Sequence, residues 1–254
     1  MERPSGPATL PAEGQPAGTA EARREEPGEA PVAAPRQRWR LVLARDATAP
    51  ELAGRELGDA WDEAIAATGL PVYRPAGRNR PALAFGAPVP VRMVLEGELA
   101  DLVLTAMLPT WAVRESLIGN APPGWHLIGL FDVWLGAPAL AGQVAAAEYR
   151  IEIDGVEAAG AVDAVRSVMT ARSLPRERQK VGATVAYDLR PLLAGLVVVD
   201  PAPPVVIRVR TRFDPVLGNG RPEEVVAALG EAAGAAVTVR SIVRERLVMR
   251  DDPV

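Results

Sequence analysis

The chain has 254 residues, 48% of them hydrophobic and 24% charged, with a formal net charge of -4, which is enough chain for one large domain or two modest ones with real cores. It contains no cysteine and one histidine, His126. This excludes disulfides, thiolate chemistry, cysteine-bound zinc and a self-held iron-sulfur cluster, and leaves a serine-histidine-acid triad a single imidazole to work with.

Residues 1–35 hold seven prolines, eight alanines and four glycines, with six acids against three arginines and no aromatic residue. Such a segment cannot bury enough apolar surface to offset its ordering entropy and is expected to be a disordered tail. No apolar run is long enough to span a membrane, and the N-terminus lacks the basic and apolar regions of a signal peptide, so the expected location is the cytoplasm. Among the 28 basic residues Lys180 is the only lysine. That bias reads as genomic base composition as much as function, and arginine counts are discounted accordingly.

Order is expected to begin at RWRLVLARD, where Trp39, Leu41 and Leu43 alternate with Arg40 and Val42 as in a half-buried strand. Leu52, Leu57, Trp61 and Ile65 then share one helical face, with Gly69 as its stop. LPVYRP starts a second strand. PALAFGAPVPVRMVLEGE and LADLVLTA read as extended chain, with prolines placing 87–91 at an edge or outside the ladder. PTWAVRESLIGNAPPG is a short helix, and WHLIGLFDVWLG another strand. The order strand, helix, strand, strand, helix, strand is that of a ferredoxin-like (split βαβ) module.

After residue 146 the plan starts again. AEYRIEI is a strand and GVEAAGAVDAVRSVMTA a helix. RERQKVGATVAYDLRPLLAGLVVVD and PVVIRVRTRF form an extended pair, RPEEVVAALGEAAG a helix, and AVTVRSIVRERLVM a last strand. The expected architecture is therefore α+β, with two consecutive ferredoxin-like modules at 36–146 and 147–254 behind the tail. A single continuous α/β sheet is the competing reading, disfavoured by the absence of regular long crossover helices.

Three groups of residues could carry function. Arg74, Arg78 and Arg80, with Asn79 and the turn-forming Gly77, could grip a phosphate or carboxylate, although neither a P-loop nor a dinucleotide spacing is present. A bulged edge with arginines facing water explains the same residues. RSLPRERQKVG offers Arg176, Arg178 and Lys180, with Arg190 following in YDLRPLL. Period two puts Arg208, Arg210 and Arg212 on one strand face, and Arg240, Arg244 and Arg246 are expected to repeat the device in the last strand. A basic sheet surface of that kind could position a phosphate backbone, but aromatic residues for base stacking are scarce and a charge-balanced solvated face is as simple. Glu96 and Glu98 are expected to share a strand face; without a histidine or a further converging acid they make a poor metal site. His126 reads as a satisfied structural residue, Trp111 and Trp125 as anchors of a core and its rim, and RPEEVV as helix initiation with Pro222, Glu223 and Glu224 in the first turn.

From about Arg38 onward the chain resembles the radical SAM-linked protein family, a domain of unknown function found as a small separate protein or attached to the C-terminal side of a B12-binding-type radical SAM protein. TGLPVYRP followed by GRNRPALAFGAPVPV is similar to the family's glycine-phenylalanine-asparagine-proline segment, short apolar strand and proline-leucine-proline-valine-glycine turn. Gly77, Asn79, Pro81, Phe85, Pro88, Pro90 and Val91 fit, whereas Arg78 stands at the aromatic position and Arg92 at the terminal glycine. AAEYRIEI, YDLRPLL and GRPEEVVAALG resemble later segments, which makes Arg190, Pro191, Pro222, Glu223 and Glu224 family-like positions. The resemblance implies no catalytic residues and no cofactor held by this chain, which lacks the three-cysteine motif of a radical SAM catalytic domain. It implies an accessory module working with a radical SAM partner, binding RNA or presenting a substrate for modification. A stand-alone RNA-binding protein and an enzyme with an arginine and carboxylate pocket around 74–98 are the alternatives.

Overall fold

In a computed structural model of the chain, residues 33–75, 82–180 and 182–252 are described. The expected tail falls outside them but for its last three residues. The elements run β1 (Gln37–Arg45), α1 (Gly54–Ala67), β2 (Leu83–Phe85), β3 (Val94–Leu104), α2 (Thr110–Asn120), β4 (Trp125–Val133), a single turn α3 (Leu140–Gln143) and β5 (Val144–Asp154). They continue with α4 (Ala158–Thr170), β6 (Pro175–Lys180), β7 (Ala183–Asp188), a 3-10 turn (Arg190–Leu192), β8 (Leu193–Asp200), β9 (Val205–Asp214), β10 (Gly218–Asn219), α5 (Pro222–Ala233) and β11 (Thr238–Met249).

The protein is mixed α+β around a large, mostly antiparallel sheet ordered β10-β9-β5-β11-β3-β1-β4, with β2 beside β3 and β8 beside β9. In the first half the strands lie β4-β1-β3-β2, and in the second β11-β5-β9-β8. Both follow the order fourth, first, third, second, and every neighbouring pair within a half is antiparallel. The halves join where β11 runs parallel to β3, Val243 opposite Val94 and Arg244 opposite Leu95. β2 takes the other end of the same β3 edge, Leu83 to Phe85 against Leu102 to Ala100.

Alternation explains which side each strand buries. Trp39, Leu41 and Leu43 of β1 and Ala100, Leu102 and Leu104 of β3 are buried with Leu57, Trp61 and Ile65 of α1 and Val113 and Leu117 of α2. Trp61 meets both Phe85 and Trp125 edge to face, with 5.5 Å between the Trp61 and Trp125 rings. The second cluster packs Tyr149, Ile151, Ile153, Ile207 and Val209 under Ala161, Ala164 and Val168 of α4 and Val225 and Leu229 of α5. Met93 packs against both clusters and bridges them.

Several local expectations are corrected. Among the described residues LPVYRP contributes only one isolated bridge, Val72 to Leu104, because Pro71 and Pro75 lack the N–H groups that would extend it. The chain read as two extended pieces at 81–98 and 99–106 contains the three-residue β2 and the single long β3, with 87–91 outside the ladder where Pro88 and Pro90 forbid pairing. The run at 176–200 is divided: β6 and β7 form their own two-stranded hairpin, and the turn containing Pro191 precedes β8. Trp125 is core, but Trp111 is 65% exposed on α2. His126 is exposed as well and bonds Asp46 at 3.0 Å, an acid brought from β1's end rather than from the neighbouring sequence.

Candidate functional site

The join between the halves gathers the most unusual side chains in the protein. Arg45 continues the apolar parity of Leu41 and Leu43, Glu98 that of Ala100 and Leu102, and Arg244 lies opposite Tyr149 on the covered side of β5. All three charged residues are therefore buried, at 3%, 1% and 3% exposure. Arg244 donates to Glu98 and, through both terminal nitrogens, to the carbonyl of Pro88 at 3.2 and 3.3 Å. Arg45 donates to the carbonyls of Pro90 at 2.6 Å and Met93 at 2.5 Å and lies 5.5 Å from the Trp125 ring centre. The proline-shaped 87–93 segment thus has a structural reason to leave the ladder: its free carbonyls accept from two buried guanidinium groups.

Charge at this join is unevenly met. Burial pushes the Glu98 carboxyl up to about 7, and Arg244 and Arg45 act against that rise. Arg45 is held below its ordinary value by burial and then by the like charge of Arg244. Two arginines share one carboxylate, and three polar atoms remain without a hydrogen-bond partner among the described residues: Glu98 Oε1, Arg45 Nη1 and Arg244 Nε. Each is a group whose desolvation is uncompensated.

Above them opens a cleft of about 590 Å³, whose walls are Pro88 to Val91 and Met93 on one side and Phe213 with its strand partner Asn219 and the residues to Glu223 on the other, with Tyr149 and Arg244 as its floor. The Asn219 to Glu223 wall is the entry to α5, where Pro222 occupies the first turn and no side chain caps the helix. Gly220 cannot be larger, since a Cβ there would stand 2.8 Å from Thr211 and 2.9 Å from the Leu192 carbonyl. Burial raises the Tyr149 hydroxyl above its ordinary value, opposed by the neighbouring Arg244 and Thr211.

The opposite, uncovered face of the sheet carries the other arginines. Arg208, Arg210 and Arg212 do share a face, alternating with buried Ile207, Val209 and Thr211. Arg244 and Arg246 do not, because a bulge between them places Glu245 and Arg246 on the uncovered face and turns Arg244 inward. A bulge opposite Leu43 and Arg45 likewise separates Glu96, exposed and bonded to Arg150 at 2.7 Å, from buried Glu98. The expected basic surface is consequently laced with acids. Arg150 also meets Glu245 at 2.7 Å, Arg208 meets Glu245 at 2.7 Å, and Glu148 accepts from Arg210 at 2.5 Å and Arg246 at 2.6 Å. Burial would raise Glu148 and Glu245, but these guanidinium bonds outweigh it and lower both.

The remaining candidates are dispersed. Arg190 donates to the carbonyls of Met169, Ala171 and Leu193 at 2.9, 3.2 and 3.0 Å, so it closes the C-terminus of α4. Arg176 pairs with Glu231 at 3.0 Å and Glu224 at 3.7 Å on α5, and Arg178 lies 5.1 Å from the Tyr187 ring. Arg74 pairs with Asp62 at 3.2 Å, and the same carboxylate accepts the Ala82 N–H at 2.6 Å. Arg78, Asn79 and Arg80 lie outside the described residues, as does the side chain of Lys180. Among the described residues no group of acids and histidine is placed to hold a metal ion, and no helix is long and apolar enough to cross a membrane.

Sequence reasoning passed over Arg45 and Tyr149 and weighed Glu98 as a metal ligand or as part of an arginine and carboxylate pocket with Arg78 and Arg80, not with Arg45 and Arg244. The signal was present, since each charged residue stands where strand alternation calls for an apolar one.

Fold and site together define a mixed α+β protein with a repeated strand order and a ligand-sized cleft where the two repeats meet. The chain belongs to the family described as Uncharacterized protein conserved in bacteria (DUF2344), whose model matches residues 38–223. None of the curated proteins matches it. Among solved structures it is similar to a chain of a Cbf5-Nop10-Gar1 complex, at 8% identity over 82% of this chain and 49% of that one, with a TM-score of 0.46. A chain of the archaeal box H/ACA sRNP Nop10-Cbf5 complex is similar at 10% identity over 82% and 47%, TM-score 0.39. An unknown protein from Galdieria sulphuraria is similar at 15% identity over 80% and 96%, TM-score 0.24. The chain spans about half the length of the first two, and at these TM-scores none of the three bears on function.

Proposed function

We propose that the protein is a non-catalytic accessory module, built from two ferredoxin-like repeats, that works beside a radical SAM partner and presents a substrate to it. The repeated strand order supports the fold part of this reading, and the resemblance of 70–91, YDLRPLL and GRPEEVVAALG to the radical SAM-linked family supports the choice of partner. The observation that carries the need for a protein partner is the free edge of the sheet. Among the described residues β4 pairs only with β1, and along it and the following turn Ile128, Phe131 and Trp134 are 50%, 58% and 77% exposed. Apolar side chains grouped at an unpaired strand edge mark an interaction surface.

The RNA-binding alternative rests on Arg208, Arg210, Arg244 and Arg246, and has weaker support. Three of these are held by Glu148 or Glu245 and the fourth is buried, so phosphates would compete with carboxylates already in place. The test is a pulldown of the tagged full chain from its native cell extract, with and without nuclease, beside a Phe131→Glu/Trp134→Glu variant. The expected result is a radical SAM protein that survives nuclease and is lost with the variant. Recovery of RNA alone, or of no such protein in either arm, overturns the proposal.

A further inference from the structure

The cleft at the join has features that an accessory surface does not need. Its floor contains an arginine whose side chain is 3% exposed and whose Nε has no partner among the described residues. Beside it stands the Tyr149 hydroxyl, which Arg244 and Thr211 approach within hydrogen-bonding reach. The rim holds the uncapped first turn of the twelve-residue helix α5 and the exposed Arg221, which makes no ion pair among the described residues. An uncapped helix N-terminus leaves backbone N–H groups and a partial positive charge directed outward. A buried guanidinium nitrogen, a phenol and a helix end are independent kinds of donor, and all three border one space.

The charge tally points the same way. Arg45, Arg244 and Arg221 face Glu98 behind the floor and Glu223 on the rim, which leaves one positive charge with Glu98 ionised and two with it protonated. Burial draws Glu98 toward the protonated form near neutrality. The apolar lining, Pro88 to Val91 and Met93 together with Phe213 beside Asn219, can pack against an apolar or planar body that carries the anion. A carboxylate offers two oxygens and one charge; a phosphate monoester offers three terminal oxygens and about -1.5 to -2 charges, closer to what the donors supply.

We propose that this cleft is a phosphate-monoester site, in which Arg244 and Tyr149 on the floor, with Arg221 and the first turn of α5 at the rim, bind the phosphoryl group while Phe213 and the proline wall hold an apolar or planar body. This is independent of the identity of the partner.

The test is calorimetric titration of the full chain with phenyl phosphate, with benzoate, inorganic phosphate and a short single-stranded RNA as the comparison probes. Phenyl phosphate is expected to bind more tightly than benzoate or inorganic phosphate. Tyr149→Phe, which keeps the ring and removes the donor, should weaken it about tenfold, as for loss of one hydrogen bond to a charged group. Arg221→Ala, at the surface, should weaken it severalfold and carries the same test should Tyr149→Phe fail to fold. No heat from phenyl phosphate with folded protein, equal affinity for benzoate, binding of RNA alone, or unchanged affinity in the folded variants each overturns the proposal. Recovery of a radical SAM protein without phenyl phosphate binding removes this inference alone; binding without any such partner leaves it standing and removes the accessory reading.

Discussion

Replacing Glu98 and replacing Arg244 should have different consequences, although the two form one ion pair. Glu98→Gln leaves Arg45 and Arg244 buried, facing one another and short of a carboxylate. Breaking a buried pair in this way costs about 3–5 kcal/mol, or roughly 6–20 °C in Tm for an ordered region of this size. Guanidinium groups do not lose their proton in any accessible range, so the variant's own stability should be nearly flat with pH, and its difference from the parent should change only as the parent's Glu98 titrates. Arg244→Gln leaves the acid instead, and the acid can be neutralised. Burial already holds the Glu98 carboxyl at about 7 in the folded protein, with Arg244 opposing the rise, so removing Arg244 moves it further up. A folded-state value above the unfolded one means that the folded chain binds more protons between them, and stability falls as pH rises through that window. The Arg244→Gln penalty should therefore be about 3–5 kcal/mol at pH 8 and smaller by about 1–1.5 kcal/mol near pH 5.5, where Glu98 is protonated in the parent as well. Urea unfolding of both variants across pH 5.5–8 reads these values directly. A penalty for Arg244→Gln that is flat or grows on acidification would refute the reasoning, as would a Glu98→Gln variant within about 1 kcal/mol of the parent.

Three further outcomes are expected. Arg190→Ala, which frees two backbone carbonyls at the end of α4 and that of Leu193 at the start of β8, should cost about 2 kcal/mol, whereas Arg208→Ala on the uncovered face should cost less than about 1 kcal/mol; the two are compared by denaturant midpoint. Gly97→Ala would set a Cβ 2.7 Å from the Glu245 carbonyl, where β11 passes β3, and should lower stability by about 1–3 kcal/mol in the same measurement. Asp46 is held down to about 2, chiefly by the Thr48 hydroxyl and then by His126, so Thr48→Ala should raise its titration midpoint, followed by NMR, toward the usual aspartate range.

What was legible in the sequence was local. The 3.6-residue spacing of Leu57, Trp61 and Ile65 and the placement of Pro222 with Glu223 and Glu224 marked α1 and the start of α5. Alternation marked β1 and β9, including the shared face of Arg208, Arg210 and Arg212. The repeat of element order was readable for the same reason. Reasoning by parity failed at the two bulges, because an extra residue in one strand is decided by its neighbour: the Gly97 contact with Glu245 joins segments nearly 150 residues apart.

By itself, then, the sequence determined where the main strands and helices lie, which side of most of them is apolar, and that no cysteine and only one histidine can enter any chemistry. Those are consequences of near-neighbour sterics and of period two or 3.6, and they hold wherever the segment is placed. Only the tertiary structure decided that β11 closes on β3, that Arg45, Glu98 and Arg244 meet there, and that the prolines of 87–93 supply their carbonyls. A buried charge is tolerable only with partners, and its partners come from other strands.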